Sequence, residues 1–179
     1  GALPLSRCLK DFCAEEQLSE QDTWFCPKCR EHVRAYKRMV PWKLPPVLVL
    51  HLKRFKQRDL FVDRNDALVH FPIEGLDMAK FLPTDAIPEE ATRDDGDDGT
   101  SRPKLLYDLY AVDNHMGGLG GGHYTAYARS PTDGQWYEFD DSWTRPVAPA
   151  DVRRTVVSTA AYVLFYVRRG ADVYIPPMS

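Results

Sequence analysis

The sequence predicts an α+β domain that is mostly antiparallel sheet with few short helices. Many segments alternate apolar and polar residues, or stay apolar for about the length of one strand. The turn signal Asp133-Gly134 separates two of these segments, which is typical of a β-hairpin. The clearest helical spacing is at residues 5–12. The main strand-like segments are 32–40, 47–52, 68–72, 106–112, 124–129, 135–139 and 160–167.

The composition is that of a folded chain of 179 residues, forming one domain or a large part of one. Apolar residues make up 44% and aromatic residues 12%, which is enough for a packed core. The net charge of -3 argues against a nucleic-acid-binding surface, and no apolar run approaches the length of a membrane span. Four cysteines, two of them spaced Cys-x-x-Cys, indicate a reducing compartment. We therefore expect an intracellular protein of the cytoplasm, the nucleus or both.

The first predicted element is a helix over residues 5–12. Leu5, Cys8, Leu9 and Phe12 recur at the spacing of one helical face. Ser6 is predicted to cap the helix. Because Cys8 lies on the apolar face, we expect it to be a small core residue.

The turn Cys26-Pro27-Lys28-Cys29 predicts a metal site. Its spacing lets two thiolates approach one tetrahedral zinc ion, whereas redox dithiols of the same spacing usually open a helix. Cys26 and Cys29 supply only two of the four ligands that a structural zinc site needs. The other two are either Cys8 and Cys13 or residues of a segment outside this chain.

The middle of the chain contains one apolar strand and one acidic segment. Residues 47–52 are predicted to form a fully buried central strand, with His51 as a hydrogen-bonded core residue. Residues 83–103 are rich in acidic residues and glycine, and are predicted to form a flexible insert. The alternative is that this insert contacts a basic partner surface.

The chemistry is predicted to lie around His123. Five of the six residues from 117 to 122 are glycine, and His123 follows them at the start of a strand. A histidine between a bendable loop and a rigid strand is well placed for a general base, although a flexible surface loop would look similar.

Asp140 is predicted to lie beside His123. It ends the strand that follows the turn at Asp133-Gly134, and antiparallel pairing brings both residues to the same end of the sheet. A carboxylate there would fix the tautomer of the imidazole and stabilise the imidazolium. Asp141 is expected either to face the opposite side or to cap the strand end, where it could hold a water molecule or polarise the site.

Several motifs occur in a fixed order along the chain: Trp24-x-Cys26-Pro27-x-Cys29, residues 44–55, Phe71-Pro72-Ile73, and residues 121–127, 136–142 and 161–166. Together they resemble the ubiquitin-specific proteases, and the last three resemble the histidine box of that family. The resemblance runs from about residue 5 to residue 169 and fails only in the acidic insert.

This resemblance implies the papain-like cysteine protease fold, with residues of about 5–40 related to the fingers and residues 41–169 forming the palm. It implies that His123 is the general base, Asp140 its orienting partner and Asp141 a supporting polar residue. The glycine loop and the acidic loop would flank the ubiquitin tail. The residues that the resemblance places along the tail are Gly118, Gly120, Gly121, Gly122 and Tyr124.

The chain departs from the family at the nucleophile. The family's cysteine box, of the type Asn-x-Gly-x-x-Cys, does not occur, nor does the first Cys-x-x-Cys of the fingers. Residues 1–179 therefore look like the C-terminal part of a catalytic domain, inactive alone, with ubiquitin, ubiquitinated proteins and the missing N-terminal half as partners. No cofactor is expected for catalysis. The alternatives are a non-catalytic ubiquitin-binding or scaffold module, and a zinc module unrelated to an enzyme.

Overall fold

A computed structural model describes residues 3–58, 61–87, 91, 104–118 and 120–173. The N-terminal part contains short elements. In chain order they are β1 (Leu3–Pro4), α1 (Leu5–Phe12), β2 (Glu16–Gln17), β3 (Trp24–Cys26), β4 (Glu31–Val33) and β5 (Tyr36–Lys37). The remaining strands are β6 (Val47–His51), β7 (Phe55–Arg58), β8 (Phe61–Arg64), β9 (Val69–His70), β10 (Leu76–Asp77), β11 (Leu106–Gly118), β12 (Gly121–Arg129), β13 (Trp136–Asp140), β14 (Trp143–Val147) and β15 (Ala161–Arg168). A second helix, α2 (Val152–Val156), and three short 3₁₀ turns complete the described elements.

One antiparallel sheet organises the fold. Its strand order is β14-β13-β12-β11-β15-β6, and β10 pairs with β11 at the side. The other pairings are two-stranded, and β1 with β9 is the parallel one among them. The prediction of a mostly antiparallel sheet with few short helices is therefore confirmed.

The core lies along β11 and β15. Tyr107, Val112, Leu164 and Tyr166 are fully buried there. Each of the two tyrosine hydroxyls needs a partner once it is buried, because an unpaired polar group in the core is costly. Tyr107 Oη donates to the carbonyl of Pro45 at 2.6 Å, and Tyr166 Oη donates to that of Pro72 at 2.7 Å. Burial raises the pKa of both phenols. These bonds tie two proline-containing turns to the sheet.

The structure confirms the first helix and corrects its cap. α1 spans the predicted residues, with Leu5 buried and Cys8 packed against the core. The helix already begins at Leu5, after Pro4 as the N-cap residue, and no side chain caps it. Ser6 therefore lies inside the first turn, and its predicted capping role is wrong.

The strand β6 is an edge strand, so the prediction of a fully buried central strand is wrong. It pairs with β15 alone among the described residues, and its side chains alternate between the two faces. Leu48 and Leu50 pack against the core, whereas Val49 is 51% exposed. His51 is also exposed, in edge-to-face contact with Tyr162, and is not a core residue. The run of apolar residues predicted the strand correctly, but it did not indicate which face of the strand is buried and which is exposed.

Most of the predicted acidic insert, residues 88–90 and 92–103, lies outside the described residues. Its first part contains a 3₁₀ turn at Thr84–Ala86. None of the helices in the described part of the chain has the length and apolar content needed to cross a membrane.

Candidate active site

The glycine-rich segment is a paired hairpin and not an open loop. β11 continues to Gly118 and β12 starts at Gly121, so the strands run on past the predicted ends. Met116 lies opposite His123, and Gly117 lies opposite Gly122. The prediction of a loop fails here because the glycines remain in register across the hairpin. Leu119 at its tip is outside the described residues.

Two of the glycines are required by this pairing. Gly117 has a φ of +113°, and a Cβ there would lie 2.8 Å from the Cα of Gly122. A Cβ on Gly122 would lie 2.5 Å from both His115 Nε2 and Met116 O. Such distances are too short for real carbon atoms, so a side chain at either position would displace the backbone.

The other described glycines of the hairpin are not crowded. A Cβ added to Gly118, Gly120 or Gly121 would meet no atom within 4 Å. The fold alone therefore gives no reason for glycine at these three positions, although glycine costs conformational entropy. Tyr124, which follows His123, is 59% exposed.

His123 and Asp140 are in contact, as the hairpin pattern predicted. The β12–β13 register pairs Ala126 with Phe139, which places Asp140 diagonally across from His123 on the same face. His123 Nε2 lies 2.5 Å from Asp140 Oδ1, and each side chain is 45% exposed. A short contact between a ring nitrogen and a carboxylate is a charge-assisted hydrogen bond once the imidazole is protonated.

Asp141 lies in the tight turn between β13 and β14. Asp140 pairs with Trp143 across this turn, and Asp141 adopts a left-handed φ of +48°. Aspartate tolerates this conformation better than most residues do. Of the two predicted placements the strand-end turn is the observed one. The ligand atoms of His123, Asp140 and Asp141 all lie within 4.8 Å of one another.

The two carboxylates raise the pKa of His123. The hydrogen bond that His123 donates to Asp140 is the main cause, the charge of Asp140 comes next, and the charge of Asp141 adds to both. With Nε2 engaged by Asp140, the neutral imidazole presents the lone pair of Nδ1 as a proton acceptor. The arrangement can therefore take a proton at Nδ1 and stabilise the resulting cation.

No cysteine joins this group in the described part of the chain, which includes all four cysteines. Cys8 and Cys13 lie at α1, far from His123 in the sequence. They line an apolar groove of about 610 Å³ beside β6. Burial raises the pKa of both thiols. Neither a nucleophile nor a reactive thiolate is therefore seen next to His123.

The Cys26–Cys29 turn has a backbone suited to thiolates. The backbone N–H groups of Cys29 and Lys28 point at the Cys26 sulfur and lower the pKa of this thiol. The turn is closed by a hydrogen bond from Arg30 N to Cys26 O of 2.7 Å, with Arg30 at a φ of +60°. Two sulfur ligands in such a turn fit one half of a tetrahedral zinc site.

The four-cysteine alternative is not formed in this structure. The described residues contain no group of three or more potential metal ligands that includes a cysteine. Cys8 and Cys13 instead pack against the core, so they do not complete the site at Cys26 and Cys29.

Two neighbours of the site, His115 and Arg64, were not predicted from the sequence. His115 is buried at 4% exposure, in ring contact with Phe55, Tyr124 and Tyr162. Arg64 donates hydrogen bonds to the carbonyls on either side of Met116. A signal for His115 existed in the pair Asn114-His115 before the glycines, but a lone arginine in a polar segment offers none.

The sequence of this chain is similar to those of ubiquitin carboxyl-terminal hydrolases. The profile of the family described as ubiquitin carboxyl-terminal hydrolase matches residues 16–166. The chain is 45% identical over 93% of its length to ubiquitin carboxyl-terminal hydrolase 10 of Arabidopsis thaliana, covering 16% of that protein. It is 46% identical over 92% of its length to ubiquitin carboxyl-terminal hydrolase 15 of Homo sapiens, covering 15% of it.

A solved structure of the SAGA Ubp8/Sgf11/Sus1/Sgf73 DUB module bound to ubiquitin aldehyde is also similar. The TM-score is 0.70 at 30% sequence identity, and the alignment covers 95% of this chain and 34% of that chain. The chain thus spans about a sixth of the curated relatives named above and about a third of the structural one.

The raised pKa of His123 gives the first testable prediction. In an NMR titration of the folded chain, His123 should titrate above the ordinary histidine value of about 6.5. Asp140→Asn should lower this pKa strongly, and Asp141→Asn should lower it less because Asp141 acts only through its charge. Because the folded-state pKa is raised, the pair contributes fully to stability below the unfolded-state pKa, and this contribution is lost as the pH rises through the folded-state value. An unchanged titration in Asp140→Asn would contradict the assignment.

Proposed function

Since this chain belongs to the ubiquitin carboxyl-terminal hydrolase family, we propose that it supplies the general base and the orienting acid of a cysteine-type deubiquitinase. The contact of 2.5 Å between His123 Nε2 and Asp140 Oδ1 is the observation that carries this proposal. Asp141 supports the pair through its charge. The nucleophilic cysteine comes from a segment outside residues 1–179, so the chain alone is inactive.

In the proposed reaction, Nδ1 of His123 accepts the thiol proton of that cysteine. The thiolate sulfur then bonds to the carbonyl carbon of the last residue of ubiquitin, and the leaving amine takes the proton back from the imidazolium. Water attacks the resulting thioester, again losing a proton to His123, and releases ubiquitin with a free carboxylate and the regenerated thiol. Asp140 keeps the ring oriented throughout and stabilises its positive charge.

The ubiquitin tail is proposed to run along the outer side of the glycine hairpin. Open space at Gly118, Gly120 and Gly121 supports this path, since glycine is found where another backbone approaches closely. Gly122 and the exposed ring of Tyr124 complete the proposed surface. In this proposal residues of about 5–40 belong to the fingers and residues 41–169 form the palm.

A structural zinc ion is proposed at the Cys26–Cys29 turn. The lowered pKa of Cys26 and the N–H groups directed at its sulfur support a thiolate at Cys26, and Cys29 offers the second sulfur of the turn. Zinc would fix this turn by coordination and take no part in the proposed hydrolysis. Its remaining two ligands are proposed to lie outside this chain.

A second candidate function is a non-catalytic ubiquitin-binding or scaffold module. It is favoured by one observation: the described residues bring no cysteine to His123 and Asp140. Titration of the chain with ubiquitin distinguishes the two proposals. Tight binding by the chain, with no turnover once the cysteine-bearing segment is supplied, would favour the module.

The catalytic roles are tested in the chain joined to the cysteine-bearing segment. His123→Ala should lower turnover of a ubiquitin-linked substrate by about 10²–10⁴-fold, which is the usual contribution of a general base. Asp140→Asn should lower kcat with a smaller effect on KM, since it changes the orientation of the base and not the binding surface. His70→Ala, an exposed histidine on β9, is the matched control and should keep full activity. Unchanged turnover in His123→Ala would refute the proposal.

The path of the ubiquitin tail is tested with two neighbouring glycines. Gly121→Ala should change the free energy of unfolding by less than about 0.5 kcal/mol, yet lower kcat/KM for ubiquitin substrates by about tenfold or more. Gly122→Ala should destabilise the fold by about 1–3 kcal/mol, because its Cβ would collide with His115 and Met116. Chemical denaturation and steady-state kinetics measure the two effects. Full activity in Gly121→Ala would exclude this path.

The metal proposal is tested by elemental analysis of the chain joined to the segment that is proposed to carry the other two ligands. Replacing Cys26 and Cys29 together by Ser should remove the bound zinc, whereas replacing Cys8 and Cys13 together should leave the zinc content unchanged. Zinc that survives the first double substitution would disprove the site.

A further inference from the structure

The hairpin that carries His123 extends beyond the sheet that supports it. β15 ends its pairing with β11 where Ala161 lies opposite Asn114, and the last bond on this side runs from His115 N to Ala160 O. Past this point, in the part of the chain that the structure describes, β11 has β12 as a neighbouring strand on one side only. The carbonyl of Met116 faces β12, so the carbonyls of His115 and Gly117 face the open side.

Arg64 at the end of β8 occupies this open side. Its Nη2 donates to His115 O at 2.6 Å and its Nη1 donates to Gly117 O at 3.1 Å. Its Nε lies 2.9 Å from Asp66 Oδ1, close enough for an ion pair although the N–H is not aligned for a hydrogen bond. The Arg64 side chain is 17% exposed and that of Asp66 is 69% exposed.

The guanidinium replaces the missing strand. Two carbonyls two residues apart on the same edge of a strand normally accept from the N–H groups of a neighbouring strand. The planar fork of arginine offers two N–H groups in fixed relative positions, which a single lysine ammonium cannot reproduce. The two accepting carbonyls flank Met116, the residue directly opposite His123.

We propose that Arg64 is a positioning residue that holds the glycine hairpin, and with it His123, in reach of Asp140. A hairpin containing five glycines has little stiffness of its own, so an external clamp is needed to keep its tip in place. The clamp is a structural claim about this chain. Its consequence for turnover rests on the proposed function.

The clamp is tested by hydrogen exchange on Arg64→Gln and Arg64→Lys. In Arg64→Gln the backbone amides of residues 116–118 and 121–124 should exchange about tenfold faster or more, and Arg64→Lys should lie between this variant and the unchanged protein. Arg169→Gln is the matched control. This substitution removes two hydrogen bonds, of 2.7 and 2.8 Å, from Arg169 to Asp108 near the other end of β11. It should not accelerate exchange in the hairpin.

The titration of His123 separates positioning from simple electrostatics. Removing a cation by Arg64→Gln would, through charge alone, raise the pKa of His123. Loosening the hairpin weakens the bond to Asp140, and the pKa should instead fall toward the ordinary histidine value. A fall in Arg64→Gln together with partial recovery in Arg64→Lys supports the clamp. A rise, or unchanged hairpin exchange in both variants, overturns it.

Kinetics of the chain joined to the cysteine-bearing segment complete the test. Arg64→Gln should lower kcat by about tenfold because the base is misplaced, and it should also raise KM because the hairpin proposed to bind the ubiquitin tail is loosened. If His123→Ala keeps full turnover, the proposed function fails while the exchange and titration results still decide the clamp. If His123→Ala is inactive and Arg64→Gln keeps the full kcat, the clamp has no part in catalysis and the inference is overturned.

Discussion

The site depends on the antiparallel register of β12 with its two neighbours. On one side, pairing with β13 brings Asp140 diagonally across to His123, and on the other, pairing with β11 fixes the backbone on which His123 sits. Because side chains alternate along a strand, a slip of one residue would turn Asp140 to the opposite face of the sheet. The contact of 2.5 Å is therefore a property of the whole sheet and not of two adjacent side chains. The buried rings of Tyr107 and Tyr166 help to hold that sheet by their bonds to neighbouring turns.

The glycines divide into two kinds that only coordinates could separate. Gly117 and Gly122 are needed because the strands and the His115 ring approach too closely for a Cβ. Gly118, Gly120 and Gly121 face open space, so the fold does not account for their entropic cost. Glycine weakens a hairpin, and the geometry of this hairpin does not require it at these three positions. Glycine is expected at such positions when another backbone must approach closely. The open space at Gly118, Gly120 and Gly121 therefore supports the proposed path of an extended tail along the hairpin.

The sheet and the His123–Asp140 contact could be predicted because their signals are local. Turn chemistry at Asp133-Gly134 fixes the hairpin, and two-residue periodicity fixes which side chains share a face. The position of β6 at the sheet edge could not be predicted, since an apolar run indicates burial on at least one face without indicating the strand order. The two hydrogen bonds of Arg64 could not be predicted either. Their acceptors, His115 O and Gly117 O, lie 51 and 53 positions further along the chain, and the contacts follow no periodic pattern. Cysteine spacing predicted the turn at Cys26, and helical spacing predicted that Cys8 packs against the core.

The exposure of the pair explains why a base of this kind would need a covering segment. At 45% exposure, water screens the attraction between His123 and Asp140, and the imidazolium is held less firmly than it would be in a closed site. In the proposed enzyme, a cysteine-bearing segment and the ubiquitin tail would exclude that water and strengthen the same interactions without moving either residue. A thiolate placed near Nδ1 would add a third negative charge, after Asp140 and Asp141, in favour of the protonated ring. The described residues thus contain the charges that stabilise an imidazolium. The proposed partner segment contributes the cysteine thiol, whose proton the imidazolium carries.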